Sequence, residues 1–476
     1  MFQPSVTPRI HSPLDPGFIP AVLVNHEFQR LAKNVGETAV IGLERAEGDT
    51  SRIELTVFPD KHPLAKWNIR YVERIVKFLL WQRGGHKLSF SGSPKIAAHL
   101  VNTFSPTGER AFDFAFFGQK VYEQEFTVIT CHEDAIPPGQ EIGKELGGNI
   151  DGYRIGFDLG ASDRKVAAVV DGVPIYSEEV TWEPRKQTDP EYHYHEIMTA
   201  IHTAAAKLAR VDAVGGSSAG IIIDNRPMIA SLFRGIPEDQ YSRVKGIFLR
   251  IRDELGVPLV VINDGDVTAL AGSMAIKDNG ILGIALGSSE AAGYVNTEGH
   301  IMGWLNELAF APIDYSPKAP VDEWSGDLGC GASYLSQQCV FRLAPAAGIN
   351  IPPNIPDADK LIFVQALLDS AHPGAVQIWN TMGVYLGYAL AHYADFYDIR
   401  HVLILGRCTS GSGGNLLLEG VQNVFSAEFP DLQGQITLHL PDEKIRRVGQ
   451  TIAAASLPHI PASPAQSEDK NETNKP

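Results

Sequence analysis

The chain has 476 residues, of which 44% are hydrophobic and 20% are charged, and its formal net charge is −16. This length predicts two or three domains, and the composition excludes a mostly disordered chain. The acidic balance disfavours the class of proteins that coat nucleic acid, which are basic.

No apolar run approaches the roughly 20 residues that a membrane-spanning helix needs. The first residues, Met1–Pro8, lack the basic stretch and following apolar stretch of a secretory signal. The four cysteines are few and scattered, which favours a reducing compartment over a disulfide framework. We therefore expect a cytoplasmic protein without a membrane anchor.

The chain divides unevenly in charge near residue 150. Residues 1–150 carry 16 basic and 17 acidic side chains, so nearly all of the net negative charge lies after them. A Pro- and Gly-rich stretch at 136–152 predicts a linker there. We predict an α/β region at 1–150, a core at 151–460 and a disordered tail at 461–476, since the tail is polar and contains Pro.

The first region is predicted to be mixed α/β. A strand between its two clearest helices argues against a DNA-binding helix-turn-helix, as does the region's near-neutral charge. The predicted elements are a strand at Arg52–Phe58, a helix at Trp67–Arg83, a strand at Lys87–Phe90, a helix at Pro94–Thr103, and strands at Ala111–Phe117 and Phe126–Thr130.

From residue 153 onward, short apolar strands alternate with helical patterns, which indicates layered α/β structure. Predicted strands are Arg154–Phe157, Val166–Val170, Pro258–Ile262, Ile281–Leu286, Ala292–Asn296, Val402–Leu405 and Gln435–Leu440, with a Gly/Ser-interrupted apolar run at Ala213–Ile223. Predicted helices are Glu196–Ala209, Val244–Leu255, Val267–Ile276, Val376–Phe396, Asn415–Phe429 and Arg446–Leu457.

The first candidate site is a strand that ends in Asp158-Leu159-Gly160 and turns back through small polar residues. A glycine lets the backbone approach a phosphate, to which turn N–H groups and Ser162 could donate. Lys165 would add a positive charge, and Asp158 could hold Mg²⁺ through water. A purely structural hairpin explains this pattern equally well.

The second candidate site is Asn263-Asp264, which follows a buried strand and precedes a helix. Ligands of open α/β sheets bind at such strand ends. Asp264 could accept the proton of a substrate hydroxyl that attacks a phosphoryl group, and Asn263 could bind a neighbouring hydroxyl. The alternative role is helix capping, which we favour for Asp266.

Two Gly/Ser-rich turns are further candidates for binding phosphate or nucleotide. Gly287 and Ser288 join two predicted strands, and the loop from Gly406 through Ser410 and Gly411 runs from a strand into a helix. The N-terminus of a helix attracts anions. A plain hairpin and a surface loop are the respective alternatives.

Together and in this order, the four motifs resemble those of the ROK family in the sugar kinase/actin/Hsp70 superfamily, over roughly residues 153–458. The resemblance implies a two-lobed, actin-like (ribonuclease H-like) ATPase core that binds ATP, Mg²⁺ and a sugar between its lobes. The α/β region at 1–150, predicted from its own residues, is an additional N-terminal domain outside this resemblance. It implies a catalytic base at Asp264 and sugar-binding residues at Asn263 and Glu307. It assigns the phosphates to Asp158-Leu159-Gly160-Ala161-Ser162 and to Gly287-Ser288-Ser289, and the adenosine to the loop after Gly406.

The sequence departs from the family pattern at three places. Phe310 stands where many ROK proteins have a histidine that binds sugar and zinc. The family's cysteine motif is reduced to Cys330 in Gly329-Cys330-Gly331, so we predict no structural zinc, because one cysteine cannot complete a tetrahedral site. Glu290 follows the second phosphate turn. A carboxylate there would be unfavourable beside the phosphates of ATP unless Mg²⁺ bridged the two or the side chain pointed away.

Two other polar stretches have weaker claims to function. His193 and His195 form a His-x-His pair that we predict to be exposed and not to bind metal. The acidic run from Asp322 to Asp327 could contact a sugar or Mg²⁺, although a solvated loop is the alternative.

The leading hypothesis is therefore a sugar kinase of the hexose type that uses Mg–ATP. Phe310, Glu290 and the missing zinc ligands favour a second hypothesis, a non-catalytic sugar sensor on the same fold. A DNA-binding repressor ranks last. The expected partners are a small sugar and a nucleotide, and a second copy of the chain is a further candidate.

Overall fold

A computed structural model describes residues 3–46, 48–441 and 443–461 of the chain. The predicted tail at 461–476 lies outside the described residues except for residue 461. The chain forms two compact units. The first contains residues 3–145 and 268–441, and the second contains residues 146–267 and 443–461. The predicted domain boundaries, at 1–150, 151–460 and 461–476, remain a prediction.

Residues 3–145 of the first unit form a four-stranded sheet with helices. The elements are α1 (Ala21–Ala32), β1 (Glu37–Ala46), β2 (Asp49–Val57), α2 (Asn68–Arg83), β3 (Lys87–Ser91), α3 (Pro94–Thr103), α4 (Ala111–Ala115) and β4 (Thr127–Thr130). The strand order is β2-β1-β3-β4, in which only β3 and β4 are parallel. Because β3 separates α2 from α3, this part of the chain does not form a helix-turn-helix.

The predicted strand at Ala111–Phe117 is wrong, because this segment is helical. Helix α4 continues into a π-helical stretch, Phe116–Tyr122. The alternating phenylalanines suggested a strand, but the helix brings Phe112 and Phe116 to the same face, four residues apart. Both rings stack on Trp81 of α2, at centroid distances of 6.3 Å and 4.8 Å.

The second unit is built on a five-stranded mixed sheet. Its elements are β5 (Tyr153–Leu159), β6 (Asp163–Val170), β7 (Val173–Thr181), α5 (Pro190–Ala205), β8 (Ala213–Ser218), β9 (Ile221–Ile223), β10 (Arg226–Ile229), α6 (Tyr241–Lys245), α7 (Ile247–Leu255) and β11 (Leu259–Asn263). The order is β11-β8-β5-β6-β7. Strands β11, β8 and β5 are parallel, so their carboxyl ends lie at the same edge of the sheet. Apolar residues of α5 and α7 pack against this sheet.

The rest of the chain provides the second sheet of the first unit and the final helix. The elements are α8 (Asp264–Ile276), β12 (Ile281–Leu286), β13 (Glu290–Val295), α9 (Gln337–Leu343), α10 (Asp357–Asp369), α11 (Pro373–Ala394), β14 (His401–Leu405), α12 (Gly413–Glu428), α13 (Pro430–Gln435), β15 (Thr437–His439) and α14 (Glu443–Ala455). The strand order is β13-β12-β14-β15, and all neighbours except β13 and β12 are parallel.

Helix α14 belongs to the second unit and packs on its sheet. Two strand glycines permit this close approach. A Cβ on Gly156 would lie 1.8 Å from the carbonyl oxygen of Thr451, and one on Gly215 would lie 1.7 Å from that of Ala454. Real Cβ atoms cannot come so close to backbone, so any larger residue at either position would displace the helix.

No helix within 3–46, 48–441 and 443–461 is long and apolar enough to cross a membrane.

Candidate active site

Two predicted functional positions, Asp158 and Asn263, lie at the same edge of the second unit's sheet. In the parallel register, Asp158 of β5 stands opposite Ser217 of β8, and Asn263 of β11 stands opposite Ser218. The polar ends of three adjacent strands therefore meet, as ligand sites of open α/β sheets require. Asp264 follows directly and opens α8.

Asp158 is buried and held by two donors. The Ser217 hydroxyl donates to its Oδ1 at 2.6 Å, and the Lys165 ammonium donates to its Oδ2 at 3.2 Å. Lys165 also contacts Oδ1 of Asp163 at 3.1 Å. Burial opposes the charge of Lys165, but the two carboxylates raise its pKa above the ordinary value. One lysine thus bridges two carboxylates at the turn between β5 and β6.

Asp264 has a pKa close to neutrality. Burial raises the pKa of its carboxyl group to about 6, and the negative charge of Asp158 contributes further. The Gly265 N–H donates to Oδ1 of Asp264 at 3.0 Å, and the positive charge of Lys165 also lowers this pKa. A carboxylate with this pKa is a suitable proton acceptor near neutral pH.

Asn263 makes the turn into the helix. Its Oδ1 accepts the Gly265 N–H at 2.7 Å, and its Nδ2 donates to the Gly220 carbonyl at 2.8 Å. The amide keeps one N–H and one acceptor position for a ligand. The predicted cap at Asp266 is wrong, because the helix already begins at Asp264. Its first turn places Asp266 inside the helix.

The turn at Gly160 and Ser162 is rigidly held. The Gly160 N–H donates to the Asp163 carbonyl at 2.9 Å. Trp182 donates its ring N–H to the Gly160 carbonyl at 2.8 Å and its backbone N–H to the Ser162 carbonyl at 3.2 Å. The Ser162 hydroxyl donates to Asp163 at 3.1 Å. These bonds fix the peptide orientations that a phosphate-binding turn depends on.

The first unit holds the other predicted residues. Gly287 and Ser288 form a tight turn between β12 and β13, in which the Gly287 N–H donates to the Ser289 carbonyl at 3.0 Å. Glu290 points into the interior of the unit, where the Tyr393 hydroxyl donates to its Oε1 at 3.0 Å. Burial raises the pKa of Glu290 to about 8. Its carboxyl group therefore does not introduce the anticipated negative charge at the turn.

The loop after β14 lies beside this turn. Gly406 has φ +95°, and a Cβ there would lie 2.3 Å from the carbonyl of Leu286, the last residue of β12. Ser410 and Gly411 are exposed. Helix α12 then begins at Gly413, and its N-cap residue, Ser412, makes no side-chain capping bond. The helix start can therefore receive an anion or a polar ligand.

Glu307 is half-buried in the first unit, and its backbone N–H donates to the Trp81 carbonyl at 3.0 Å. Phe310, three residues later, packs between Trp81 and Trp324 at centroid distances of 4.6 Å and 4.7 Å. Its ring provides neither a hydrogen-bond donor nor a metal ligand.

Among the residues that the structure describes, no three His, Cys, Asp or Glu side chains come together to hold a metal ion. All four cysteines are free thiols. The absence of a zinc site stays a prediction.

Two weaker expectations are corrected. His193 is buried, and its Nε2 lies within 3.1–3.2 Å of the Pro184 and Leu232 carbonyls, so only His195 of the pair is exposed. Asp327 is not in a solvated loop, since it is buried against Arg74 and Arg110.

Sequence reasoning missed Ser217 and Asp163, which hold Asp158 and Lys165. The signal for Ser217 was present in Gly215-Gly216-Ser217-Ser218, a strand whose polar end matches the ends of its neighbours. The predicted residues thus fall into two groups. Asp158, Gly160, Ser162, Lys165, Asn263 and Asp264 belong to the second unit, and Gly287, Ser288, Glu307, Gly406, Ser410 and Gly411 belong to the first.

No protein-family model matches the sequence, and no curated protein matches it. Solved structures do match. The ROK hexokinase from Thermus thermophilus has a TM-score of 0.51 and 17% sequence identity, with 64% of this chain and 97% of that chain covered. The chain has the fold of this ROK hexokinase. The expected α/β fold of the ROK sugar kinases is confirmed.

Two other solved structures match with lower TM-scores. A ROK family glucokinase from Streptomyces griseus, in complex with glucose and AMPPNP, has a TM-score of 0.47 and 20% identity, with coverage of 64% and 98%. A ROK family transcriptional regulator, a homologue of the Escherichia coli MLC protein, has a TM-score of 0.49 and 17% identity, with coverage of 65% and 78%.

Proposed function

We propose that this chain is a divergent ROK protein that transfers a phosphoryl group from Mg–ATP to a sugar hydroxyl. The observation that carries the proposal is Asp264, a carboxylate of pKa about 6 at the carboxyl end of β11 and within the electrostatic reach of Asp158. Carboxyl groups whose pKa is shifted toward neutrality by burial and by a specific charge are typical of catalytic bases.

In the proposed reaction, the sugar hydroxyl oxygen attacks the γ-phosphorus of ATP. Asp264 accepts the hydroxyl proton, the new P–O bond forms, and the bond to the ADP oxygen breaks. Asn263 and Glu307 bind neighbouring sugar hydroxyls and orient the attacking one. Most of the rate enhancement would come from this positioning and from charge stabilisation.

The residues assigned to the nucleotide are suited to anions and polar groups. Gly160, Ser162 and Lys165 would contact phosphates, as would Gly287 and Ser288. The loop of Gly406, Ser410 and Gly411, followed by the start of α12, would contact the nucleoside. No negatively charged residue stands in the first turn of α12.

Among the described residues no three carboxylates come together to hold a metal ion, so Mg²⁺ would bind chiefly to the phosphates of ATP. Asp158, whose oxygens accept from Ser217 and Lys165, would contact the ion through water. The ion would neutralise charge on the phosphates of ATP.

A non-catalytic sugar sensor is the second candidate, and Phe310 favours it. This ring replaces the family's sugar-contacting histidine and is packed between two tryptophans. A sensor would bind sugar without turnover. We place either protein in the cytoplasm, where sugar and ATP are available.

The deciding experiment combines turnover with binding. Purified protein is assayed for ADP release with Mg–ATP and glucose, mannose or N-acetylmannosamine, and thermal shifts are recorded with each ligand, since ligands that bind only the native state stabilise it. Turnover supports the kinase. Stabilisation by sugar but not by Mg–ATP, without turnover, supports the sensor.

Asp264→Asn tests the base directly. We expect kcat to fall by about a hundredfold or more with the melting temperature retained, because the amide cannot accept the proton. Asp253→Asn is the matched control, because Asp253 is an exposed aspartate on α7. Equal kcat in Asp264→Asn and wild type would remove this residue from the mechanism.

A further inference from the structure

The segment that carries Glu307 is held along its length by residues 3–145. We define the Glu307 segment as residues 301–327. At its start, Ile301 and Lys144 exchange backbone hydrogen bonds of 2.8 Å and 3.1 Å. Near its middle, the N–H groups of Asn306 and Glu307 donate to the carbonyls of Gln82 and Trp81 at the end of α2.

Side chains of the N-terminal region reinforce this attachment. The guanidinium of Arg83 lies 4.6 Å above the ring of Trp304. Glu141 accepts from Arg83 at 2.8 Å and from the Trp304 ring N–H at 2.9 Å. The ring of Trp81 packs against Phe310. The residues on both sides of Glu307 are therefore fixed by the same helix.

The far end of the segment is fixed by charge. Asp327 is 4% exposed and lies 2.7 Å from Arg110, 3.1 Å from Arg74 and 3.7 Å from Lys77. Glu73 and Asp113 complete this cluster by pairing with Arg110, Arg74 and Lys77. We name these six residues the buried charge network. It contains three cations and three carboxylates, and Asp327 is its only member outside residues 3–145.

Asn306 adopts a left-handed backbone conformation directly before Glu307. Its φ is +52°, a value that asparagine tolerates better than most other non-glycine residues. Asn306 is buried, with its Oδ1 bonded to the Tyr397 hydroxyl at 2.9 Å. The bond from the Asn306 N–H to the Gln82 carbonyl, at 2.9 Å, helps to hold this turn in place.

We infer that the N-terminal region is a positioning element for the proposed sugar site, and that Arg83 and Arg110 act on sugar binding through Glu307. The inference rests on the proposed function, because it assigns a substrate role to Glu307. Neither arginine is proposed to touch the sugar. Loosening the attachment should weaken sugar binding while leaving the ATP site and the proton acceptor intact.

The test uses the full chain with Arg110→Met and Arg83→Met, each of which keeps an unbranched apolar stem but removes the guanidinium group and its charge. We expect the KM for whichever of glucose, mannose or N-acetylmannosamine is phosphorylated to rise about tenfold, with kcat and the KM for ATP within twofold of wild type. Arg110→Lys should restore at least half of the loss. Arg52→Met is the control, since Arg52 pairs with Glu133 on the N-terminal region itself.

Hydrogen exchange measured by mass spectrometry supplies a readout that does not require turnover. Amides of residues 304–311 should exchange about tenfold faster in both Met variants, while those of β5 and β8 should not change. Since Arg83 is outside the buried charge network, Arg83→Met decides the matter even where Arg110→Met does not fold.

Four outcomes separate this inference from the proposed function. Faster exchange with a raised sugar KM supports it. Exchange equal to wild type overturns it, as does faster exchange with an unchanged sugar KM. If wild type phosphorylates no sugar, the kinase proposal fails, and the inference then stands or falls on sugar affinity, measured by calorimetry with glucose, together with exchange.

Discussion

Two clusters of charged side chains differ in their balance of charge. In the buried charge network of the first unit, three cations meet three carboxylates, and all six side chains are at most 8% exposed. At the strand ends of the second unit, Lys165 pairs with Asp158 and Asp163, and Asp264 lies within the electrostatic reach of Asp158 and Lys165, so three carboxyl groups share one ammonium group.

The difference separates a structural cluster from a candidate active site. Balanced, hydrogen-bonded charges can remain in a protein interior because each offsets the desolvation of another. An excess of carboxylate charge raises the free energy of the unoccupied fold and is relieved by a bound cation or a proton, which is why perturbed groups concentrate at functional sites. The predicted effects of substitution therefore differ in kind between the two clusters.

The largest expected effect is on stability and comes from Asp327→Asn. It leaves three cations with two carboxylates in a buried site, so we expect the free energy of unfolding to fall by about 3–5 kcal/mol. Urea denaturation followed by circular dichroism measures this change. Glu109→Gln, a 72% exposed partner of Arg110, is the control and should cost less than about 0.5 kcal/mol. Equal effects of the two variants would mean that the network contributes no net stability.

Glu290→Gln should have a smaller effect on the free energy of unfolding. This variant should become more stable than wild type as the pH rises, whereas Asp327→Asn loses stability. The folded pKa of Glu290 is about 8, against an ordinary 4.5. Between these values the folded state keeps a proton that the unfolded state has released, so the free energy of unfolding falls as the pH rises, by up to about 1.4 kcal/mol per unit. Glutamine does not titrate. The free energy of unfolding of the variant, relative to that of wild type, should therefore rise by about 2 kcal/mol between pH 5 and pH 7.

Paired denaturation curves at pH 5, 6 and 7 measure this difference. Glu298→Gln, which replaces a 74% exposed carboxylate, should follow wild type at every pH. A constant difference between Glu290→Gln and wild type would show that Glu290 does not retain its proton. Glu290 would then be ionised in the folded state and would need a cationic partner.

The smallest expected effect is that of Lys165→Met on activity. The positive charge of Lys165 lowers the pKa of Asp264 and stabilises Asp158. We expect wild-type kcat to reach half of its maximum near pH 6, and the variant to reach it at higher pH with a maximum reduced about tenfold. A pH–rate profile measures both changes. Lys207→Met, which replaces an exposed lysine just after α5, is the control. An unshifted profile in Lys165→Met would contradict the coupling.

Much of the fold was predictable because it depends on local patterns. The predicted helix at Pro94–Thr103 has the observed bounds, and the strand at Ile281–Leu286 does also. Asn263 and Asp264 were found because a short apolar strand followed by a helix start is visible in sequence. Helix α1 and strand β1 were missed, although α1 has buried residues on one face.

The charge networks were not predictable because their members are distant in the chain. Arg74 and Lys77 appear in sequence as the polar face of an amphipathic helix, yet both are buried. Their partner Asp327 follows about 250 residues later. The same reason explains Asp163 and Ser217, since only the sheet register reveals what faces Asp158.

The packing of α14 on the sheet of the second unit has a consequence for folding during translation. Strand β5 emerges from the ribosome early, but Gly156 and Gly215 remain uncovered until Thr451 and Ala454 are synthesised. At typical translation rates that delay is on the order of 15–60 s. During this time the strands that carry Asp158 and Asn263 lack the helix that covers one face of their sheet, so a nascent chain that stalls before α14 should be a preferred client of chaperones.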